Sequence, residues 1–121
     1  MPGKTILIVD DEEDLRDVIS TRFEMEGCTV VKAENGSAAV AQLRARSFDA
    51  VISDIRMPGI GGIELMKLAC GLKPAPAVIL ITGNTIPSSS EILKLGAAAL
   101  LTKPFDLDDV IQVVHKALFQ K

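Results

Sequence analysis

Apolar residues in this chain follow two rhythms. Short unbroken runs rich in Ile, Val and Leu recur at residues 5–9 (TILIV), 28–31 (CTVV), 50–53 (AVIS), 77–81 (AVILI) and 98–102 (AALLT). Runs this short, without polar alternation, predict strands buried on both faces. Between them the apolar positions recur at helical spacing: Leu15, Val18, Ile19 and Phe23, then Ala39, Val40 and Leu43, then Leu65, Met66 and Ala69. The last such set is Val110, Val113, Val114, Ala117 and Leu118, preceded by Asp106 at a capping position. Each set predicts a helix with one face on a sheet. A serine run, Ser88 to Ser90 after Pro87, predicts the start of the fourth helix of five. Turn signals bound the elements at ENG (34–36), MPGIGG (57–62), KPAP (73–76) and Gly96.

Five strands in strict alternation with five helices predict an α/β domain with right-handed crossovers and a five-stranded parallel sheet covered on both faces. The matching architecture is doubly wound and flavodoxin-like, (βα)5, with strand order 2-1-3-4-5. A chain of 121 residues has room for one such core, so residues 1–121 read as one domain. Net charge is −3, and the 13 Lys and Arg residues are scattered, which gives no footprint for direct nucleic-acid binding or an anionic membrane. No apolar run approaches the ~20 residues that span a bilayer, and the first residues lack a signal-peptide pattern. The sequence therefore reads as a cytoplasmic protein. Cys28 and Cys70 lack metal-binding spacing and lie among apolar residues, which predicts reduced core thiols.

In an open parallel sheet, ligands sit beyond the carboxyl ends of the strands. Strand one leaves through Asp10 and Asp11, strand three through Asp54, strand four through Thr82 and strand five through Lys103. Strand two, an edge in this order, leaves through Lys32 and Ala33 without a matching group. Each residue has a plain explanation alone. Acids suit the first turn of a helix, and Glu13 and Asp14 are best read that way. Asp54 suits a turn, Thr82 a strand, and Lys103 a solvated position before proline. What the separate explanations leave out is that independent strands deliver three carboxylates, a hydroxyl and an ammonium to one edge.

Two like charges ~4 Å apart repel by about 4 kcal/mol at an effective dielectric near 20, so Asp10, Asp11 and Asp54 need a counter-ion to stay ionised together. With few and hard oxygen ligands, Mg²⁺ is the natural occupant. Beside it Asp54 is a candidate carboxylate nucleophile for a phosphoryl group. Lys103 and Thr82 are then candidates to hold phosphoryl oxygens, since phosphoryl transfer needs mainly positioning and charge neutralisation.

The motifs ILIVDDEED (6–14), DAVISDIRMPG (49–59), AVILITGN (77–84) and AALLTKPFDLDDV (98–110) stand in the order and spacing of one family. Across almost its whole length the chain resembles a receiver domain of a two-component response regulator. The resemblance implies a phosphorylation-activated switch that accepts a phosphoryl group on Asp54 from a histidine kinase or phosphotransfer protein. It also implies Mg²⁺ held by Asp11, Asp54 and the Arg56 backbone carbonyl, with Asp10 acting through water. Thr82 and Lys103 would be the switch and phosphate-binding residues, with a cis peptide between Lys103 and Pro104. A downstream effector domain or protein and homodimerisation on phosphorylation are further implications. Chemistry would be limited to self-phosphorylation and autodephosphorylation at Asp54, without an outside substrate.

Three departures stand out. Leu100 occupies the usual aromatic switch position, Gly61 a common Asp position, and the loop at 83–91 is one residue short. Two other classes compete. A small Mg²⁺-dependent phosphatase of the haloacid dehalogenase kind would put its nucleophile after strand one in a D-x-D spacing, and would add a cap insertion; neither is present. A phosphorylation-independent binding module would typically have lost the acceptor or the lysine, whereas Asp54 and Lys103 are both here. His115 reads as a helix-surface residue without a phosphodonor role.

Overall fold

The computed structural model describes residues 1–83 and 89–119. The elements run β1 (Thr5–Val9), α1 (Glu13–Met25), β2 (Thr29–Ala33), α2 (Gly36–Ala45), β3 (Ala50–Asp54), α3 (Gly62–Cys70), β4 (Ala77–Thr82), α4 (Ser89–Leu95), β5 (Ala99–Thr102) and α5 (Leu107–Phe119). The strands pair in parallel, as the alternation predicts, and in the flavodoxin-like order expected, β2-β1-β3-β4-β5.

Because side chains alternate across a strand, each apolar run feeds two cores at once. Ile6, Ile8, Ile52, Ile79 and Ile81 meet Ile19 and Phe23 of α1 and Val110 and Val114 of α5 on one face. Leu7, Val9, Val51, Val78 and Leu80 meet α2, α3 and α4 on the other. Runs without polar interruption are thus what a sheet covered on both faces demands.

Local signals set the boundaries. Helix α1 ends in a Schellman motif: Gly27 takes φ of 86°, its N–H donates to the Glu24 carbonyl, and the Cys28 N–H donates to the Phe23 carbonyl. Asn35 caps α2 by accepting from the Ala38 N–H at 2.8 Å. Ahead of α5 the Asp109 carboxylate accepts from the Asp106 N–H at 3.1 Å, and the Asp106 carbonyl accepts from the Asp109 N–H at 3.0 Å. Both Lys103–Pro104 and Lys73–Pro74 are cis. The first matches the family resemblance; the second had no sequence signal beyond its proline.

Burial corrects four expectations. Strands β2 and β5 are only partly buried, because each is a sheet edge with one neighbouring strand. Val18 is 47% exposed, since α1 turns Ile19 and Phe23 inward and leaves Val18 on its flank. Cys70 is exposed and not a core thiol, because Leu65, Met66 and Ala69 fill the inward stripe of α3; Cys28 is buried as expected, and both are free thiols. Helix α4 begins at Ser89, inside the serine run. Residues 84–88, which hold Asn84, Pro87 and Ser88, lie outside the described residues.

Candidate functional site

Register brings the strand exits together. Val9 of β1 pairs with Ser53 of β3, so the next residues, Asp10 and Asp54, leave the sheet side by side. Asp54 pairs with Ile81, one residue before Thr82, and Thr82 pairs with Thr102, one residue before Lys103. Main-chain bonds extend these ladders past the strands: the Ile55 N–H donates to the Ile81 carbonyl at 2.9 Å, and the Lys103 N–H to the Thr82 carbonyl at 2.8 Å. Strand order and register therefore do the assembling; the side chains need only be present.

One carboxylate oxygen from each of Asp10, Asp11 and Asp54 falls within 4.8 Å of the others. Asp10 and Asp54 are buried and Asp11 is exposed, so the cluster sits at the mouth of the sheet edge. Asp54 Oδ2 accepts from Lys103 Nζ at 3.1 Å, and Asp54 Oδ1 accepts from the Arg56 N–H at 3.1 Å. Asp10 Oδ1 accepts from the Glu12 N–H at 2.8 Å, while Asp10 Oδ2 is buried without a hydrogen-bond partner. An orphaned buried carboxylate oxygen costs about 1–3 kcal/mol or more, unless a cation completes it. Asp10, with the Asp11 and Asp54 carboxylates grouped beside it, offers three hard oxygen donors that fit Mg²⁺.

Electrostatics agree with the geometry. Burial pushes the Asp10 carboxyl above its ordinary pKa, and the Asp54 and Glu12 charges add to the rise, against the Glu12 N–H bond and the Lys103 charge. For Lys103 burial acts downward, yet the hydrogen bond and charge of Asp54, with Asp10 and Glu12, carry its pKa above the ordinary lysine value. Lys103 is therefore an ammonium at neutral pH, held against an acid cluster.

The fold groups Asp10, Asp11 and Asp54 and pairs Lys103 with Asp54; Thr82 is buried at the same edge, where its carbonyl receives the Lys103 N–H. The Arg56 N–H faces Asp54. Sequence reasoning missed Glu12, whose Oε1 lies 3.6 Å from Lys103 Nζ. It stands in the acid run, but only the fold shows which of those acids reaches the lysine. Gly62 was also missed: a Cβ there would run into the Asp54 carbonyl oxygen and the Ile55 backbone, so only glycine lets α3 start this close to the end of β3. Glu13 and Asp14 lie in the first turn of α1, as expected. His115 is exposed on α5, its ring 4.8 Å from that of Phe119.

A family model for the response regulator receiver domain matches residues 6–115. The transcriptional regulatory protein FixJ of Bradyrhizobium diazoefficiens is 34% identical over 116 residues, which cover 95% of this chain and 57% of that protein. The C4-dicarboxylate transport transcriptional regulatory protein DctD of Rhizobium meliloti is 35% identical over 114 residues, 93% of this chain and 25% of that protein. Among solved structures, the Francisella response regulator 1452 receiver domain superposes with a TM-score of 0.87 at 28% identity, covering 96% of this chain and 97% of that one. The FixJ-N structure gives 0.86 at 30% identity, covering 100% and 98%. The chain thus spans little more than half of FixJ and a quarter of DctD.

Proposed function

The chain belongs to the receiver domains of two-component response regulators, whose standard role is that of a phosphorylation-activated switch, and from that premise we propose that Asp54 is its phosphoacceptor. The observation that carries this is Asp54 itself, a buried carboxylate bonded to Lys103 on one oxygen and grouped with Asp10 and Asp11. An Asp54 oxygen attacks phosphorus, the bond from phosphorus to the donor's imidazole nitrogen or acetate oxygen breaks, and that atom leaves with the electron pair. Later a water oxygen attacks the same phosphorus, returning the Asp54 carboxylate and inorganic phosphate. No outside substrate turns over.

Asp10, Asp11 and Asp54 are the proposed side-chain holders of Mg²⁺, and the Arg56 carbonyl joins them on family resemblance alone. Bound there, the ion supplies positive charge against the transferring phosphoryl oxygens. Lys103 neutralises a further oxygen from its place beside Asp54, and Thr82 donates its hydroxyl to another from the end of β4. Residues 1–121 act as one receiver unit. The donor is a histidine kinase or phosphotransfer protein, and the output goes to an effector domain or protein, with homodimerisation as one route. FixJ and DctD are named as transcriptional regulators, which favours an effector on the same polypeptide. No helix among the described residues is long and apolar enough to cross a membrane, which accords with a cytoplasmic place. The phosphatase alternative lacks support, since the matching family is the receiver family.

Intact-mass spectrometry after incubation with acetyl phosphate and Mg²⁺ tests the assignment. Wild type gains one phosphoryl group and Asp54→Asn gains none, while Lys103→Ala is modified ~100-fold more slowly, the usual cost of one charge-stabilising donor. Full modification of Asp54→Asn would move the acceptor elsewhere.

A further inference from the structure

Asp10 is tethered at every polar atom but one. Its N–H donates to the Ala33 carbonyl at 3.2 Å, its carbonyl accepts from Arg16 Nη1 at 2.8 Å, and its Oδ1 accepts from the Glu12 N–H at 2.8 Å. Oδ2 alone is buried and unpartnered. Two of the tethers are main chain to main chain or main chain to Oδ1 within the same corner of the fold. The Arg16 tether is the one supplied by a side chain, from the first turn of α1 back to the end of β1. Arg16 is half-buried, and among the described residues no carboxylate lies within ion-pair distance of its guanidinium. An arginine this near an acid cluster would ordinarily pair with an acid; here it bonds a neutral carbonyl instead, leaving the carboxylates to another cation.

We propose that Arg16 is a positioning residue for the cation site: by holding the Asp10 carbonyl it fixes the β1–α1 turn and thereby the direction of the orphaned Oδ2. This rests on the reading of Asp10, Asp11 and Asp54 as a Mg²⁺ site. Two other roles make opposite forecasts. If the guanidinium acted chiefly through its charge, removing it would tighten Mg²⁺ binding, because like charges repel. If the bond only fastened α1 to the end of β1, removing its donors would lower the stability of the fold and leave Mg²⁺ affinity alone.

The test is Mg²⁺ affinity read by calorimetry and by the rise of melting temperature with Mg²⁺, which reports binding to the folded state. The variants are Arg16→Met, which keeps the stem and loses the donors, and Arg16→Lys, which restores one. Arg16→Met is expected to raise the Mg²⁺ Kd about tenfold, the low end of the loss for residues that orient a ligand. Arg16→Lys is expected to recover part of it. Metal-free melting temperatures from the same titration separate loss of fold from loss of affinity. An Arg16→Met Kd equal to or below wild type would overturn the proposal. A wild type that shows no response to Mg²⁺ would instead overturn the cation site itself and this inference with it.

Discussion

Asp10 shows how much one residue's environment changes its meaning. It is one of the five consecutive acids in ILIVDDEED, yet it is 1% exposed and carries the orphaned oxygen, while Asp11 beside it is open to solvent. Its folded pKa is raised by burial and by the Asp54 and Glu12 charges. A carboxyl raised in the folded state contributes stability that is fully present below its unfolded pKa and is lost as pH rises through the folded value. Without Mg²⁺, Asp10→Asn should therefore stabilise the protein at neutral pH. The gain should be about 1–3 kcal/mol, the repulsion of two charges ~5 Å apart at a dielectric near 20 less what Lys103 neutralises. Urea midpoints in EDTA should show the advantage shrink as pH falls through the carboxylate range. With saturating Mg²⁺ at neutral pH the order should reverse, since the variant loses a ligand. A metal-free Asp10→Asn less stable than wild type at pH 7 would contradict this account.

At the scale of elements, α1 does two jobs at once. Its inward stripe, Ile19 and Phe23, is core, while its flank leaves Val18 and Met25 exposed at 47% and 75%. Val18 and Leu15 line an apolar cavity of about 390 Å³ with Pro104, Phe105 and Leu107, and Lys103 stands at its edge. An apolar surface that shares Lys103 with the candidate site suits a protein donor, which needs a docking face, and is irrelevant to a small donor, which does not. Val18→Glu should slow phosphoryl transfer from a kinase or phosphotransfer protein by about tenfold or more, the loss of one central apolar contact. Phosphorylation by acetyl phosphate should stay within twofold of wild type, roughly the ±0.5 kcal/mol ordinary for a surface change. Equal slowing with both donors would place the effect in the site and not in docking.

For the whole molecule the question is how the site reaches the surface. Lys103 links Asp54 to β5, and Thr82 ends β4 at the same edge, paired with Thr102; two residues back along β5 from Thr102 lies Leu100, paired with Leu80 and packed toward the α3 and α4 side. Family members commonly carry an aromatic ring at that position, and a ring moves ~150–250 Å² of surface. Leucine has less area to shift and no phenolic hydroxyl, so its alternative rotamers differ less in what they show a partner. Phosphorylation or beryllofluoride should raise partner affinity by at most about fivefold, the bottom of the usual 1–3 kcal/mol coupling range, and Leu100→Tyr should enlarge the gain. Titration of the partner with and without beryllofluoride decides it. A wild-type gain above roughly thirtyfold, near 2 kcal/mol, would show that an aliphatic residue suffices.

The elements, their order along the chain and the parallel sheet were legible in the chain, because hydrophobic period and strict alternation are local properties that few architectures satisfy. The candidate site was legible for a related reason: strand ends in such a sheet share an edge, so Asp10, Asp11, Asp54, Thr82 and Lys103 could be grouped from position alone. Which residues complete it was not. Glu12, Arg16 and Gly62 matter through an ion pair to Lys103, a bond to the Asp10 carbonyl and a close approach to the Asp54 backbone. Each depends on distances between segments that no local pattern encodes. The same holds for Val18 and Cys70, apolar by composition yet exposed, because a helix face is turned in or out by the sheet it meets and by which neighbours already fill the stripe.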